Sequence, residues 1–355
     1  MNQIMKINKN VKYDIHCIMN SKYDSINAYV ENSETATVYH LTNWCELINR
    51  LFKHDTYYFY AKTETNNIIG ALPLVRIKSR LFGDYMISMP YFNYGGAIAN
   101  SKDIENELMN EAVMQAKSMG VDHVEFRESK KRSDTWHVRT DKVNMILQLP
   151  DCVDSLSKAL GSKIRSQIKR PLREGAQIVK GGLELVDEFY KVFSHNMRDL
   201  GTPVYHKNLF IEILKTFPGK SKILIVRLNN NAVGAAFLIG FHGKLEIPWA
   251  STIKEYNSLG INMLMYWEAL KYAIEHEYRQ FDFGRSTINS GTYKFKKQWG
   301  AKPLQLYWHY WLNDGQEMPQ LNPTNAKYKF AINVWKHLPI FIANWIGPGL
   351  VKNLP

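Results

Sequence analysis

Between Tyr57 and Val75 the chain reads YYFYAKTETNNIIGALPLV, and between Lys222 and Gly240 it reads KILIVRLNNNAVGAAFLIG. In both, an apolar run of strand length meets an Asn-containing polar break, and a second apolar run then opens on a glycine, Gly70 or Gly234. Short apolar runs bounded by turn residues predict strands, and the break predicts a tight hairpin. An aromatic, glycine-bearing stretch follows each hairpin, Met89 to Ala99 and Pro248 to Asn262. The period then changes: apolar residues recur at i, i+3 and i+4 over Ile104 to Met119 and over Met263 to His276, which predicts two helices. Each helix runs into a strand of matching pattern, Val124 to Ser129 and Phe281 to Ser286. The same order of elements occurring twice predicts a duplication.

Other segments fill in the frame. Helical spacing through Leu185, Phe189, Val192, Phe193 and Met197 predicts a helix over Leu183 to Leu200 with Gly201 as its stop. Lys158 to Glu174 is a basic helical stretch in which Arg165, Lys169 and Arg173 fall four apart on one side, with a kink expected near Ile168 because Pro171 interrupts it. Pro303 to Leu312 reads as a last strand. A Pro- and Asn-rich linker after Asp314-Gly315 leads to an aromatic, basic segment, Tyr328 to Leu354, broken by Pro339 and Pro348. At 355 residues the chain is long enough for two cores. The expected division is a first domain over 1–150, a second over 151–315 and a helical tail over 316–355.

Composition narrows the partners. A formal charge of +12 predicts a surface that attracts anions such as phosphates. The three cysteines, Cys17, Cys45 and Cys152, are too few and too scattered for a disulfide framework or a zinc site, and favour a reducing compartment. The N-terminal stretch lacks the apolar core of a signal peptide and no apolar run approaches the length of a membrane span, so a cytoplasmic protein is expected. The tail combines Trp335, Phe341 and Trp345 with Lys336 and Lys352. That composition suits either packing on the second domain or peripheral contact with the inner face of a membrane.

Candidate chemistry concentrates in Tyr278 to Ala301, YRQFDFGRSTINSGTYKFKKQWGA, where a strand pattern gives way to glycine, hydroxyls and lysines. Binding and catalytic groups commonly sit at such strand ends. Asp282 can accept a proton from a nucleophile or orient Arg285 through a bidentate pair. Lys296 can stabilise an oxyanion, whereas Lys294 and Lys297 read as solvated charges. Tyr293 and Phe295 flank Lys296 as substrate-contact candidates. Arg165, Lys169 and Arg170 suit phosphate clamping or, equally, a solvated basic face. Asn257 to Asn262 precedes a helix whose first amides can hold an anion, with Asn262 as the contact residue. Its residues depart from the usual pyrophosphate-binding signature of coenzyme A enzymes. Trp249 and Tyr256 are candidates for stacking on sugars, and Tyr205 for lining the mouth of a cleft. Histidine spacing gives no metal site, and no cysteine has the surroundings of a nucleophile.

The layout of hairpin, glycine-bearing bend, helix and strand, twice over, is that of an α/β protein with two tandem acetyltransferase-like (GNAT-like) domains of mixed sheets. The segments IRSQIKRPLREG, NMRDLGTPVY, LEIPWAS, EYNSLGINMLMYWEAL, FDFGRS and GTYKFKKQWGA together resemble the FemAB-like family, in the branch that accompanies exosortase and exopolysaccharide systems in bacteria. The resemblance implies two acetyltransferase-like domains around a shared cleft and transfer of an acyl or aminoacyl group to an amine or hydroxyl. It also implies a lipid-linked or polysaccharide acceptor of the cell envelope. Phe295-Lys296 matches the Phe-Lys pair at that family's reaction centre. The family's wall-building members take the group from aminoacyl transfer RNA and often carry a coiled-coil insertion, and no heptad run of that kind occurs here. The expected co-substrate is therefore an anionic acyl donor, either aminoacyl transfer RNA or a thioester of coenzyme A or acyl carrier protein, with no tightly bound cofactor. A reading from another class is a non-catalytic basic module that binds nucleic acid.

Overall fold

The computed structural model describes residues 12–79, 82–132, 136–319 and 326–354. In the first half β1 (Tyr13–Met19), α1 (Asp24–Asn32) and α2 (Asn43–Phe52) precede the hairpin of β2 (Asp55–Thr63) and β3 (Ile68–Ser79). Then come β4 (Gly83–Ile87), β5 (Ile98–Ala99), α3 (Lys102–Ser118), β6 (His123–Glu128) and β7 (His137–Arg139). Next along the chain are β8 (Lys142–Gln148), α4 (Val153–Ala159), α5 (Ser162–Arg173), β9 (Gln177–Gly181), α6 (Val186–Leu200) and α7 (Lys207–Thr216). The second hairpin, β10 (Ser221–Leu228) and β11 (Asn231–Phe241), is followed by β12 (Lys244–Thr252), α8 (Ile261–Glu275), β13 (Gln280–Thr287) and α9 (Gly291–Lys297). The chain ends with β14 (Lys302–Gln305), β15 (Tyr307–Leu312), α10 (Ala326–Lys336) and α11 (Ile340–Val351).

The duplication extends to single residues. Each hairpin is antiparallel, and each carries a register shift beside the glycine, between Ala61 and Lys62 opposite Gly70 and between Val226 and Arg227 opposite Gly234. A β-carbon on Gly70 would lie 2.9 Å from Ile104 and Leu108 of α3, and one on Gly234 would lie 2.8 Å from Ile261 of α8. Both glycines are therefore the places where a crossover helix touches its sheet. Each helix connects two parallel neighbours, β4 to β6 and β12 to β13.

Alternation along the strands sorts side chains into layers. On β2, Tyr57, Phe59 and Ala61 face α3, while on β10 Leu224 and Val226 face α8. The opposite faces, with Tyr58 and Tyr60 from β2 and Ile223 and Ile225 from β10, meet in one core shared by the two halves. The helices α2, α6 and α7 lie between the sheets and contribute Trp44, Phe189 and Phe210 to it.

Two features depart from the pattern read in the sequence. The stretch Pro303 to Leu312 is two strands, because Leu306 turns into the core and divides them. Of these, β14 pairs with β8, and β15 enters the first sheet beside β6. The strand β8, placed by sequence at the end of the first domain, lies between β13 and β14 in the second sheet. Thus the halves exchange strands across residues 140 and 306 instead of meeting at a linker near 150. Secondly, the basic stretch read as one helix from Lys158 is divided between α4 and α5 at Leu160-Gly161, and α5 continues through Pro171 to Arg173.

Both tail helices pack on α6. Gly347 sits so close to the backbone of Val204 that a β-carbon there would lie 2.9 Å from its nitrogen. The last turn is tied to the first half: Tyr91 donates to the Lys352 carbonyl at 2.8 Å and Tyr85 to the Asn353 carbonyl at 2.7 Å.

Candidate functional site

The parallel strands β12 and β13 pair over three rungs only, ending at Glu246 opposite Asp282. Beyond that rung β12 stays with β11, while β13 bulges at Gly284 (φ 76°) and continues along β8. The two strands therefore part at a pair of carboxylates. In the first half the equivalent parting of β4 and β6 is sealed. Ser88 donates its backbone N–H to the Glu125 carbonyl at 2.9 Å, its hydroxyl accepts from the Arg127 amide at 2.7 Å, and Gly96 donates to the Arg127 carbonyl at 3.0 Å.

Tyr39 and Tyr94 from the first half, with Asn144 of β8 and the Gly284 amide, cap the open parting. Tyr94 donates to Asp282 Oδ2 at 2.7 Å, Asn144 reaches the same oxygen at 3.3 Å and also the Tyr94 hydroxyl, and Gly284 donates its amide to Oδ1 at 2.8 Å. Tyr39 donates to Glu246 Oε2 at 2.9 Å. Both carboxylates are buried. Burial, and after it the neighbouring Asp282 charge, pushes the Glu246 carboxyl up to about 8.

After the bulge, Ser290 caps α9, accepting from the Tyr293 amide at 3.2 Å, and this short helix turns Lys296 back toward the strand. Its Nζ donates to the carbonyls of Gly284 at 3.0 Å and Arg285 at 2.9 Å. An ammonium has three donors, so one remains for a ligand. Lys296 is only 8% exposed, and burial brings its pKa down to about 8; Asp282 opposes that shift and Arg285 adds to it. Phe295 packs against Tyr266 with ring centroids 5.0 Å apart, and both it and Tyr293 lie against the second core. They anchor the helix that carries Lys296. Lys294 and Lys297 are exposed.

Of the two readings of Asp282, the pair with Arg285 does not form: the bulge at Gly284 separates them, and Asp282 spends its oxygens on Tyr94, Asn144 and the Gly284 amide. Arg285 instead lies over the indole of Trp308 at 4.9 Å, and Arg127 approaches the same ring at 4.3 Å. Arg127 is bound to Glu125 at 2.6 Å. Arg285 has no hydrogen-bond acceptor among the described residues. Although Arg285 is exposed at its edge, desolvation by the surrounding protein and then the like charge of Arg127 hold its pKa below the usual value.

Other sequence candidates scatter. Arg165 donates through one guanidinium nitrogen to the carbonyls of Leu160 and of Ser157 (3.2 Å), and so caps α4. Lys169 and Arg170 are exposed and without a protein partner among the described residues. Pro171 has no N–H, and the Gln167 carbonyl it leaves without that partner faces Gly260, 3.0 Å from where a β-carbon would stand. Hence α5 crosses the N-terminus of α8, over the segment that precedes Asn262. Asn262 is half-buried there, and Tyr256 packs on the second core. Trp249 lies on β12 within the shared aromatic core, with ring centroids 5.1 Å from Phe210 and 6.1 Å from Tyr205. Neither Trp249 nor Tyr205 stands as an open stacking platform.

Glu246 was missed in the sequence. Its one local signal is a carboxylate alternating with apolar residues in Leu245-Glu246-Ile247. Tyr39, Tyr94 and Asn144 had none. Among the described residues no group of three or more His, Cys, Asp or Glu comes together as a metal site.

This architecture is that of tandem GNAT-like proteins, mixed α/β with two mixed sheets. Residues 162–297 match the family described as acetyltransferase (GNAT) domain. Among solved structures, the chain is similar to FemX (TM-score 0.63, 14% identity, covering 83% of this chain and 96% of that one). It is also similar to L-PGS from Bacillus licheniformis (TM-score 0.54, 12% identity, 88% and 95% covered). A third similar structure is a tandem GNAT protein from the clavulanic acid biosynthesis pathway (TM-score 0.51, 9% identity, 86% and 100% covered). No curated protein sequence matches the chain.

Proposed function

We propose that this protein is an acyltransferase that moves an acyl or aminoacyl group from an anionic donor to an amine or hydroxyl of a cell-envelope or exopolysaccharide precursor. The observation that carries the reading is the Lys296 ammonium, held by two backbone carbonyls beside the opened strands and the Glu246–Asp282 pair, with one N–H left over. The acceptor's lone pair attacks the donor carbonyl, forming the new C–N or C–O bond. Lys296 stabilises the tetrahedral oxyanion. Collapse breaks the bond to the thiol or ribose oxygen of the donor. The acceptor's proton passes to the carboxylate pair and from there to the leaving group, so that charge and protons balance.

The donor reading favours a large polyanion, supported by α5: its exposed Lys169 and Arg170 lie on the helix that covers the approach to the α8 N-terminus, where a coenzyme pyrophosphate would otherwise sit. The runner-up donor is a thioester of coenzyme A or acyl carrier protein. Arg285, with N–H groups unclaimed by protein, is the anion contact inside the cleft. The acceptor class rests on the sequence resemblance and on the likeness in fold to FemX.

Incubation with aminoacyl transfer RNA and, separately, with coenzyme A thioesters, read as protection against thermal unfolding, separates the donors. With the protecting donor, Lys296→Met should lower kcat by about 100- to 1000-fold, as removal of one oxyanion donor does elsewhere, while leaving donor binding in place. A variant of undiminished kcat removes Lys296 from the chemistry.

A further inference from the structure

We propose that α11 docks this protein on an anionic lipid bilayer, lying in the headgroup layer with Phe341 and Trp345 inserted. The helix has two unlike faces. Ala343, Gly347 and Val351 are buried against the protein, whereas Phe341 is 74% exposed, Trp345 82%, and Ile346 and Leu350 each 38%. Phe341 and Trp345 are one turn apart and together form an exposed apolar strip, while Ile346 and Leu350, also one turn apart, lie about 100–140° round the helix axis from Trp345. At 12 residues the helix is too short to span a bilayer, and among the described residues no helix is long and apolar enough to do so. The strip is nonetheless held rigidly: besides the bonds from Tyr85 and Tyr91, His54 Nε2 lies 2.8 Å from the Lys352 carbonyl.

Charge selects the occupant. From residue 318 to the end the chain has four lysines and no acidic residue, and the exposed Lys336 and half-buried Lys352 bracket the apolar strip. Aromatic rings flanked by cations fit the boundary between acyl chains and anionic headgroups. A second copy meeting this face about a two-fold axis would set Lys336 and Lys352 of the two copies against each other. The docking does not depend on the transfer chemistry.

Flotation of the full chain with vesicles of phosphatidylglycerol and phosphatidylcholine in about equal parts, and with phosphatidylcholine alone, tests this. The protein should float with the anionic vesicles, and less so at about 0.5 M salt. The double variant Phe341→Ser, Trp345→Ser should bind them at least about tenfold more weakly with an unchanged melting temperature, because both side chains are exposed. If its melting temperature does fall, the single variant Trp345→Glu carries the same expectation. The proposal is overturned if the wild type ignores anionic vesicles or the variants float as well as it does. It is overturned too if gel filtration shows a dimer that the double variant abolishes, which assigns the strip to a second copy.

Discussion

Tyr94, from the first half of the chain, donates its phenol hydrogen to the buried carboxylate of Asp282 in the second, at 2.7 Å. With Tyr39 on Glu246 at 2.9 Å, it makes the carboxylate pair a joint product of both halves. Loss of this hydrogen leaves a buried carboxylate short of a donor, which typically costs about 1.5–3 kcal/mol for a bond to a charged group. Tyr94→Phe should therefore lower the unfolding free energy by about 2 kcal/mol in a denaturant titration.

The carboxylate pair and Lys296 predict opposite pH dependences. Glu246 rises from 4.5 to about 8 on folding, so between those values the folded protein holds a proton that the unfolded chain has lost. Its contribution is complete below 4.5 and disappears as pH rises through 8. Lys296 falls from 10.5 to about 8, so between those values the unfolded chain binds more protons and stability grows with pH. Glu246→Gln should flatten the falling limb below pH 8, and Lys296→Met the rising limb above it. Chemical denaturation across the range measures both.

The basic helix α5 divides into structural and free charges. Arg165→Ala removes the cap on α4 and should cost about 1 kcal/mol of stability with donor KM unchanged. Lys169→Glu with Arg170→Glu should do the reverse, raising donor KM by about tenfold and reducing its salt dependence while the melting temperature holds. Steady-state kinetics at two salt concentrations distinguish them.

Gly260 combines a left-handed backbone, φ 84°, with the Gln167 carbonyl 3.0 Å from its absent β-carbon. Gly260→Ala should cost at least about 2 kcal/mol, since backbone strain of about 1–2 kcal/mol adds to the close contact. A thermal melt reads it directly.

The repeat was legible because its signals are local. Strand and helix periods, the Asn turns and the glycines at 70 and 234 all lie within a few residues of what they control. Strand exchange left no such mark. The apolar alternation of β8 and β15 satisfies the inner positions of either sheet, and which sheet wins depends on the turn of buried Leu306. Within the site, Lys296 and Asp282 were legible as a cluster after one strand. Arg165 had the same residue type and spacing as its neighbours on α5, yet its side chain turns to the end of α4.

By itself, the sequence determined the duplicated order of elements, the basic character, and the tract from which Lys296 and Asp282 come, since each depends on residues near one another along the chain. Tertiary structure alone decided that Asp282 faces Glu246 and not Arg285, that Tyr39 and Tyr94 reach in from the first half while Asn144 comes from the exchanged strand β8, and that only the second pair of parallel strands stays open. Those outcomes are set by packing two sheets over one core, which brings groups 188 and 207 residues apart into hydrogen-bond range. Separations of that size leave no periodicity or motif to be read beforehand.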